Sequence, residues 1–211
     1  IAKSYNLLVI EDAAQGIMSK YKGKPLGSIG DIGCFSFHET KNIISGEGGA
    51  LLLNNEEFIN RAEILREKGT NRSQFFRGEI DKYTWLDIGS SFLPGELTAA
   101  FLWAQLEEAD SIINERKKVW DYYHEALHEI ENKGRIRRPF IPEGVEGNGH
   151  IYYLLMKDLK DRNNFIKNMK KHGVDCVFHY IPLHNSPSGL KYGKYSGTLE
   201  ITEEIANKIV R

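Results

Sequence analysis

Two short apolar runs, each followed at once by polar residues, constrain the fold of this chain most strongly. The first is Leu7–Ile10, which is followed by Glu11 and Asp12. The second lies in CFSFHETKNIISGEGGALLL, residues 34–53, where Lys41 separates an apolar run from a glycine cluster. Continuous apolar runs of this kind are typical of strands buried on both faces of a parallel sheet. Because open α/β sheets bind ligands at the carboxyl ends of such strands, we predict an α/β fold with a site there.

The rest of the chain alternates turns, strands and helices. The elements predicted before residue 95 are turns over Lys20–Gly30, strands Ile32–Phe37 and Ala50–Leu53, a helix Asn55–Lys68 and an ordered loop Gly69–Trp85. Residues Glu96–Asn132 have helical spacing with a break near Asp110–Ser111. The elements predicted after them are a connection over Gly134–Gly149, a strand Ile151–Met156, a helix Asp161–His172 and a strand Val174–Tyr180. We therefore predict part of a large α/β domain over 1–95, connecting helices over 96–133 and an incomplete small α+β domain over 134–211.

Composition excludes several functional classes. The formal net charge is −1, so we expect no nucleic-acid partner, and no apolar run is long enough to cross a membrane. The only two cysteines, Cys34 and Cys176, favour a reducing, cytoplasmic setting over a disulfide framework. The chain begins with Ile1 in what resembles the last turn of a helix, and we expect no signal peptide because the apolar run Leu7–Ile10 is short and is followed at once by acidic residues. We expect it to be an internal piece of a longer protein.

Three residues near the predicted strand ends could carry chemistry together. Taken singly, Asp12 is explained as a cap, Ser36 as a hydroxyl bonded to backbone, and Lys41 as a solvated lysine. Together they supply what pyridoxal phosphate needs: an amine for its aldehyde, an anion for its ring nitrogen and a donor for its phosphate. Gln15 lies three residues after Asp12 and shares its face if the segment is helical.

Two other groups of residues leave alternatives open. Cys176, His179 and His184 are close in sequence but lack a usual zinc spacing, so no metal site is expected. A loop rich in basic and aromatic residues is suited either to a nucleotide diphosphate or to packing on a partner subunit. Its members are Lys68, Arg72, Arg77 and Lys82 with Phe75, Phe76, Tyr83 and Trp85.

The motifs EDAAQG, GCFSFHETKN and GEGGALL, in this order, resemble the DegT/DnrJ/EryC1/StrS sugar aminotransferases. The resemblance continues through KGTNRSQFFRGEIDKYTWLDIGSSF to VFHYIPLH and covers nearly the whole chain. It implies a fold-type-I, aspartate aminotransferase-like pyridoxal phosphate enzyme. It also implies a homodimer with shared active sites.

The resemblance assigns cofactor roles to five residues. It implies that Lys41 forms the Schiff base with pyridoxal phosphate and moves the proton. Asp12 is then expected to pair with the pyridine nitrogen, Gln15 to bond the phenolic oxygen, and Ser36 to bond the phosphate. Many relatives have an asparagine near Ser91 that reaches the cofactor phosphate of the partner subunit, so here that contact falls to a serine or is lost.

The resemblance also implies a substrate and the residues that face it. An amino group would move from glutamate to C4 of dTDP-4-keto-6-deoxyglucose, for the synthesis of surface glycans such as enterobacterial common antigen and O-antigen. His179, Tyr180 and His184 are expected to face the sugar, although simple packing also explains them. Arg77 and Lys82, in the basic loop, are expected to contact the nucleotide.

Two departures from the family pattern shape the expectations. The family's N-terminal part, which has a phosphate-binding helix start and an aromatic residue stacked on the cofactor, is not found in this sequence, and neither is its last segment. We therefore expect the chain made alone to be inactive. One rival interpretation is a non-catalytic remnant that binds a nucleotide sugar. Another is a pyridoxal-phosphate sugar dehydratase, which Lys41 disfavours because those relatives have histidine at this position.

Overall fold

The structure, a computed structural model, describes all residues, 1–211, and divides them into two compact units. The first unit comprises Ile1–Arg116 with Glu143–His150, and the second comprises Lys117–Pro142 with Ile151–Arg211. The three changes of unit, after residues 116, 142 and 150, do not coincide with the domain limits expected from the sequence. The assignment of residues 1–95, 96–133 and 134–211 to a large domain, connecting helices and a small domain stays a prediction.

The first unit contains six strands, three helices and the beginning of a fourth. Its strands are β1 Ile10–Asp12, β2 Lys20–Tyr21, β3 Lys24–Pro25, β4 Ile32–Ser36, β5 Gly49–Leu53 and β6 Val145–Glu146. Its helices are α1 Ile59–Arg66, α2 Arg72–Phe76, α3 Glu96–Glu107 and the first part of α4 Ala109–Ala126, with 3₁₀ turns at Ala2–Tyr5 and Glu56–Phe58. The apolar run after the glycine cluster thus forms strand β5, as the sequence predicts.

The main sheet of the first unit has the order β1-β4-β5. Strand β1 runs parallel to β4, with Asp12 opposite Cys34, and β5 runs antiparallel to β4, with Gly49 opposite Ser36. A smaller sheet has the order β3-β2-β6. The parallel pair therefore brings the ends of the two motif strands to the same edge of the main sheet.

Gly33 in β4 shows why the turn before this strand must be rich in glycine. A Cβ atom at Gly33 would lie 2.1 Å from the carbonyl oxygen of Gly27. Gly27 itself has φ +86°, a left-handed conformation that side chains disfavour. The chain before β4 can fold back onto the sheet only because neither position carries a side chain.

The core of the first unit surrounds the segment that contains Lys41. Phe37, Ile43 and Ala109 form its buried centre, and Ile43 is fully buried. The partly buried side chains packed against them are Ile17, Phe35, Leu102 and Ile112. Phe37 and Ile43 lie on either side of Lys41 in the sequence, so packing fixes both ends of the segment between them.

The prediction for Leu7–Ile10 is wrong in both extent and burial. The strand starts only at Ile10 and ends at Asp12, and the side chains of Leu8 and Ile10 are 62% and 67% exposed. Side chains of a strand point to the two faces of the sheet, so this exposure means that little packs on the faces of β1. An apolar run indicates a strand, but its burial depends on neighbours that the run does not encode.

Several loops and helix limits also differ from the predictions. The turns over Lys20–Gly30 include the hairpin β2–β3, the loop Gly69–Trp85 contains α2, and the connection Gly134–Gly149 contains β6. The helical region breaks at Glu108 rather than near Asp110–Ser111, and it breaks again at Leu127. Strands β2, β3 and β6 are two residues long, too short to give a periodic signal.

The second unit is an antiparallel strand pair with helices. Its elements after α4 are α5 His128–Asn132, β7 Leu154–Leu155, α6 Leu159–Lys171, α7 Pro187–Tyr192, α8 Glu200–Lys208 and β8 Ile209–Val210, with a 3₁₀ turn at Leu183–Asn185. Strand β7 pairs with β8, and Leu154, Met156 and Val210 form the buried core. The two predicted strands of this unit need correction, because Ile151–Met156 shortens to Leu154–Leu155 and Val174–Tyr180 is not a strand.

The Val174–Tyr180 segment fails to form a strand because its pairing is minimal. It makes one isolated bridge, between Phe178 and Val210, and Val177 exchanges backbone hydrogen bonds with Arg211. The partner of β7 comes instead from the end of the chain. No helix of the structure combines the length and apolar character that a bilayer-spanning segment requires.

Candidate active site

Asp12 and Ser36 lie at the carboxyl ends of adjacent parallel strands. Asp12 is the last residue of β1 and lies opposite Cys34, two residues before the end of β4 at Ser36. Neighbouring strands are about 4.8 Å apart, so both side chains start from the same edge of the sheet. The prediction that the two residues occupy strand ends is confirmed.

Lys41 lies on a turn that follows β4 directly. The hydroxyl oxygen of Ser36 accepts a hydrogen bond from the backbone N–H of His38 at 3.3 Å. The carbonyl of His38 in turn accepts one from the N–H of Lys41 at 2.9 Å. The ring Nδ1 of His38 accepts the N–H of Thr40 at 3.2 Å, which closes the turn. Local hydrogen bonds thus connect Ser36 to Lys41 through His38.

The side chains of the candidate cofactor residues have unused hydrogen-bonding atoms. Lys41 is half-buried, and its ammonium makes no hydrogen bond or ion pair within the chain. Asp12 accepts one bond, from the N–H of Ala14 at 3.2 Å, and the Gln15 amide makes none. The Ser36 hydroxyl accepts a bond but donates none. These four groups are available to a ligand.

The carboxylate next to Asp12 is, by contrast, fully engaged. The Glu11 carboxylate accepts the N–H groups of Gly27, Ile29 and Gly30. Burial raises the pKa of Glu11, but the three bonds outweigh burial and hold that pKa below its usual range. Of the two carboxylates in this motif, only that of Asp12 therefore has an oxygen free to bind a ligand.

A second polar group holds the segment around Gln15 and the turn of Lys41. The buried amide of Asn148 donates to the carbonyls of Gln15 and Ile17, both at 2.8 Å. The buried amide of Asn42 donates to the carbonyl of Asn148 at 2.9 Å. This arrangement brings the backbone of Gln15 and the residue after Lys41 into one network.

The chemistry of these side chains fits pyridoxal phosphate. Four different polar groups lie at or just after two neighbouring strand ends: an amine, a carboxylate, an amide and a hydroxyl. Each of them keeps an atom free for a ligand. The aldehyde needs the amine, the ring nitrogen needs the carboxylate, and the phosphate needs donors. No group of three or more His, Cys, Asp and Glu side chains in the structure could hold a metal ion.

Comparison with known proteins places the chain in a family. The sequence pattern of the DegT/DnrJ/EryC1/StrS aminotransferase family matches residues 1–211. The chain belongs to this family. The pattern covers both units, so DegT/DnrJ/EryC1/StrS membership applies to every element described above.

Curated relatives and a solved structure agree with this membership. The chain is 37% identical over 200 residues to a GDP-perosamine synthase of Escherichia coli O157:H7, covering 92% of this chain and 50% of that protein. It is 32% identical over 214 residues to a dTDP-3-amino-3,6-dideoxy-alpha-D-galactopyranose transaminase of Aneurinibacillus thermoaerophilus, covering 100% of this chain and 53% of that protein. The structure of a DegT/DnrJ/EryC1/StrS aminotransferase from Brucella abortus matches with TM-score 0.84 and 26% identity, over 99% of this chain and 52% of that one.

The comparisons confirm the predicted fold class. The match to the Brucella abortus enzyme shows the α/β fold of the pyridoxal-phosphate-dependent aminotransferases. The chain spans about half the length of the curated relatives it matches. The two relatives named above act on sugars linked to different nucleotides, so the family does not fix the substrate.

Three further predicted site residues, Arg77, Lys82 and Ser91, lie in the first unit after α1. Ser91 is exposed and pairs with Glu67 in an isolated bridge just beyond α1. The guanidinium of Arg77 is held by Glu63, with bonds of 2.8 and 3.0 Å, and by Glu79 at 2.6 Å. Hydrogen bonds to Glu79 and then Glu63 raise its pKa above the usual range. Lys82 is exposed and has no partner.

The remaining predicted residues belong to the second unit. His179 and Tyr180 line a cleft of about 380 Å³. The ring Nδ1 of His179 is buried without a partner, and burial, followed by the charge of Arg211, lowers the pKa of this histidine. His184 instead bonds Glu203 through Nε2 at 3.1 Å. The roles of all three toward a sugar stay predictions.

Sequence reasoning missed the residues that support the site. Nothing in the sequence was a reason to select four residues whose hydrogen bonds link separate segments around the site. These residues are Glu11, Asn42, Asn148 and His150. Asn148 is 106 residues from Asn42, and it occurs in a glycine-rich segment that indicates only a connection. No local pattern could have pointed to that pairing.

Proposed function

We propose that the protein is a pyridoxal-phosphate-dependent aminotransferase of nucleotide-linked keto sugars, with the cofactor attached to Lys41. The observation that carries the proposal is the contrast at the β1–β4 edge. Asp12, Gln15, Ser36 and Lys41 keep unused polar atoms, whereas both carboxylate oxygens of Glu11, next to Asp12, are bonded. Membership of the DegT/DnrJ/EryC1/StrS family supports this reading of the free groups.

Lys41 supplies the amine and moves the proton. Its ammonium has no carboxylate partner within the chain, so releasing a proton breaks no ion pair. Its turn is fixed by His38 and by the buried Ile43, which leaves the flexible part of the side chain as the part that moves. A lysine held in this way can bond to an aldehyde, be displaced by a donor amine and then act as a base.

Asp12, Gln15 and Ser36 hold and orient the cofactor. When bound, pyridoxal phosphate supplies an electron sink for the carbanion that transamination requires. Asp12 has a carboxylate oxygen free to keep a proton on the ring nitrogen, Gln15 has a free amide for the phenolic oxygen, and Ser36 has a free hydroxyl proton for the phosphate. Ser91 is assigned to the phosphate in the partner subunit's site.

The proposed donor is glutamate, and the proposed acceptor is C4 of dTDP-4-keto-6-deoxyglucose. The resemblance of residues 68–92 supports this choice, and the basic loop provides an unpaired cation, Lys82, for a diphosphate. His179 and Tyr180 share a cleft and His184 lies nearby in sequence, consistent with a role toward the sugar. The product would be a dTDP-4-amino-4,6-dideoxyhexose for surface glycan synthesis.

We also infer a homodimer with shared active sites. Helix α3 exposes large apolar side chains that a second subunit would cover, since Leu97 is 89% exposed and Trp103 is 66% exposed. An exposed Ser91 is consistent with a role in a partner's site. Sedimentation of the purified protein tests this inference, and a single monomeric species at working concentrations would contradict it.

The central experiment combines trapping with turnover. The protein is purified in its native form, with any residues outside 1–211 included, because the chain made alone is expected to be inactive. It is mixed with pyridoxal phosphate and reduced with borohydride, and the labelled peptide is identified by mass spectrometry. We expect label on the peptide that contains Lys41, whereas label confined to another lysine would overturn the proposal. Glutamate-dependent amination is then compared between dTDP- and GDP-linked forms of the same 4-keto-6-deoxy sugar. Faster reaction of the GDP form would correct the nucleotide while leaving the reaction class intact.

A further inference from the structure

Asn148 joins two segments that carry candidate cofactor residues. Its side chain is buried, and its Nδ2 donates to the carbonyls of Gln15 and Ile17, both at 2.8 Å. Its Oδ1 accepts the backbone N–H of His150 at 3.1 Å. The amide therefore uses both donors and its acceptor, and it holds the Gln15 backbone by direct contact.

Asn42 completes the connection to Lys41. Its side chain is also buried, and its Nδ2 donates to the carbonyl of Asn148 at 2.9 Å. Its Oδ1 lies 2.7 Å from the ring Nδ1 of His150. Because an amide oxygen only accepts, Nδ1 of His150 carries the proton in this arrangement. The backbone carbonyl of His150 is held in turn by Arg116 at 3.1 Å.

The network spans a long stretch of sequence to reach a small region. Asn42 directly follows Lys41, and it contacts residues 106 and 108 positions later in the chain. None of the three residues bonds the side chain of Lys41 or Gln15; they act on backbone. Buried amides that are fully bonded favour one arrangement over its alternatives, since any shift leaves a polar group unsatisfied.

We infer that Asn42, Asn148 and His150 are positioning residues that set the separation between the Gln15 segment and the Lys41 turn. This inference rests on the proposed function, in which both segments contact one cofactor. Catalysis depends steeply on such placement, and a shift of about 1 Å can cost about 100-fold in rate. The network is the structural reason why two loops from different strands keep a fixed spacing.

Asn54 offers a matched control for Asn148. Its Nδ2 also bridges two backbone carbonyls, those of Gly27 and Gly30, both at 2.9 Å. That loop carries none of the candidate cofactor residues. Asn148→Ala and Asn54→Ala therefore remove the same kind of bond from the same unit, and only the first releases the Gln15 segment.

The first measurement is cofactor capture, followed by visible absorbance as pyridoxal phosphate is titrated into each variant. We expect Asn148→Ala to weaken capture by about tenfold and to lower turnover by about 10- to 100-fold. Asn54→Ala, which removes two bonds from an exposed side chain, should lose less thermal stability than Asn148→Ala and keep both values near wild type. Equal effects of the two substitutions on capture would overturn the inference.

A second pair of variants covers the case in which Asn148→Ala does not fold. His150→Asn keeps an N–H donor close to the position of Nδ1, whereas His150→Leu removes it. We expect the asparagine to retain most of the cofactor capture and the leucine to lose it. A leucine variant that captures the cofactor as well as the asparagine variant would contradict a positioning role.

Backbone amide exchange separates this inference from the proposed function. Exchange is measured without cofactor over residues 13–17 and 41–45 in wild type, Asn148→Ala and Asn54→Ala. Faster exchange in both segments for Asn148→Ala alone supports the positioning network, even if the wild-type protein captures no cofactor and the proposed function fails. Unchanged exchange in Asn148→Ala contradicts the network, whatever the result with pyridoxal phosphate.

Discussion

Glu11 and Asp12 are neighbours on strand β1, but their carboxylates have different surroundings. Glu11 accepts three backbone N–H groups from the loop Gly27–Gly30, and these bonds overcome burial to lower its pKa. Asp12 is exposed and accepts one N–H, from Ala14. Since successive side chains of a strand point to opposite faces, the two residues serve different sides of the same sheet.

This difference separates the residue of the motif that stabilises the fold from the residue that can bind a ligand. On the Glu11 side, a carboxylate closes a glycine-rich loop and leaves no oxygen without a donor. On the Asp12 side, the carboxylate, the amide of Gln15, the hydroxyl of Ser36 and the ammonium of Lys41 all keep free atoms. A polar group that has no partner within the chain can bind a ligand without breaking a hydrogen bond that stabilises the fold.

The largest effect should come from Lys41, the only candidate amine on the Asp12 side. Lys41→Ala should lower transamination by more than about 10²- to 10⁴-fold, the range for loss of acid–base catalysis alone, because the covalent attachment is lost too. Its side chain has no partner, so the free energy of unfolding should change by no more than about 0.5 kcal/mol. Turnover and urea unfolding measure the two quantities. Lys41→Arg, which keeps the charge, is the control and should be equally inactive.

The second prediction compares substitutions of the two carboxylates, which should have opposite effects on turnover and on stability. Asp12→Asn should lower turnover by about 10- to 100-fold, since a charge-assisted bond is worth about 1.5–3 kcal/mol, and should leave stability unchanged. Glu11→Gln should do the reverse, because its new N–H₂ group faces backbone donors; we expect a loss of about 1.5–3 kcal/mol in unfolding free energy and near-normal turnover in the folded fraction. If Glu11→Gln reduced turnover more than Asp12→Asn does, the division of the motif would be wrong.

The third prediction concerns pH and follows from the lowered pKa of Glu11. A carboxyl group whose folded pKa lies below its ordinary value of 4.5 stabilises the fold fully above that value and loses the contribution as the pH falls through the folded pKa. The difference in unfolding free energy between wild type and Glu11→Gln should be constant near neutral pH and shrink below about pH 4.5. Urea unfolding at several pH values measures it. A difference that grows on acidification would show that the pKa is raised instead.

The sequence predicts the local parts of the site well and the non-local parts poorly. Asp12 and Ser36 were placed correctly at strand ends, and Lys41 just beyond one, because an apolar run followed by a polar residue is a short-range pattern. The burial of Leu7–Ile10 was predicted wrongly, since it depends on what packs on the faces of β1. Val174–Tyr180 has the composition of a strand, but β8 takes the place beside β7. Asn148 was missed because its partners are more than 100 residues away.

The smallest effect tests whether the contrast between engaged and free groups extends to the basic loop. Arg77 is bonded by Glu63 and Glu79, whereas Lys82 has no partner, although the sequence marks both as candidates for the nucleotide. Lys82→Gln should raise the KM for the sugar nucleotide by about twofold to fivefold, the size of an exposed ion pair, with kcat unchanged. Arg77→Gln should leave this KM unchanged, because its guanidinium is already occupied. Steady-state kinetics at low and high salt decide the matter: the Lys82 effect should shrink with salt, and a larger KM change for Arg77→Gln would mean that ligand binding draws this arginine away from its two glutamates.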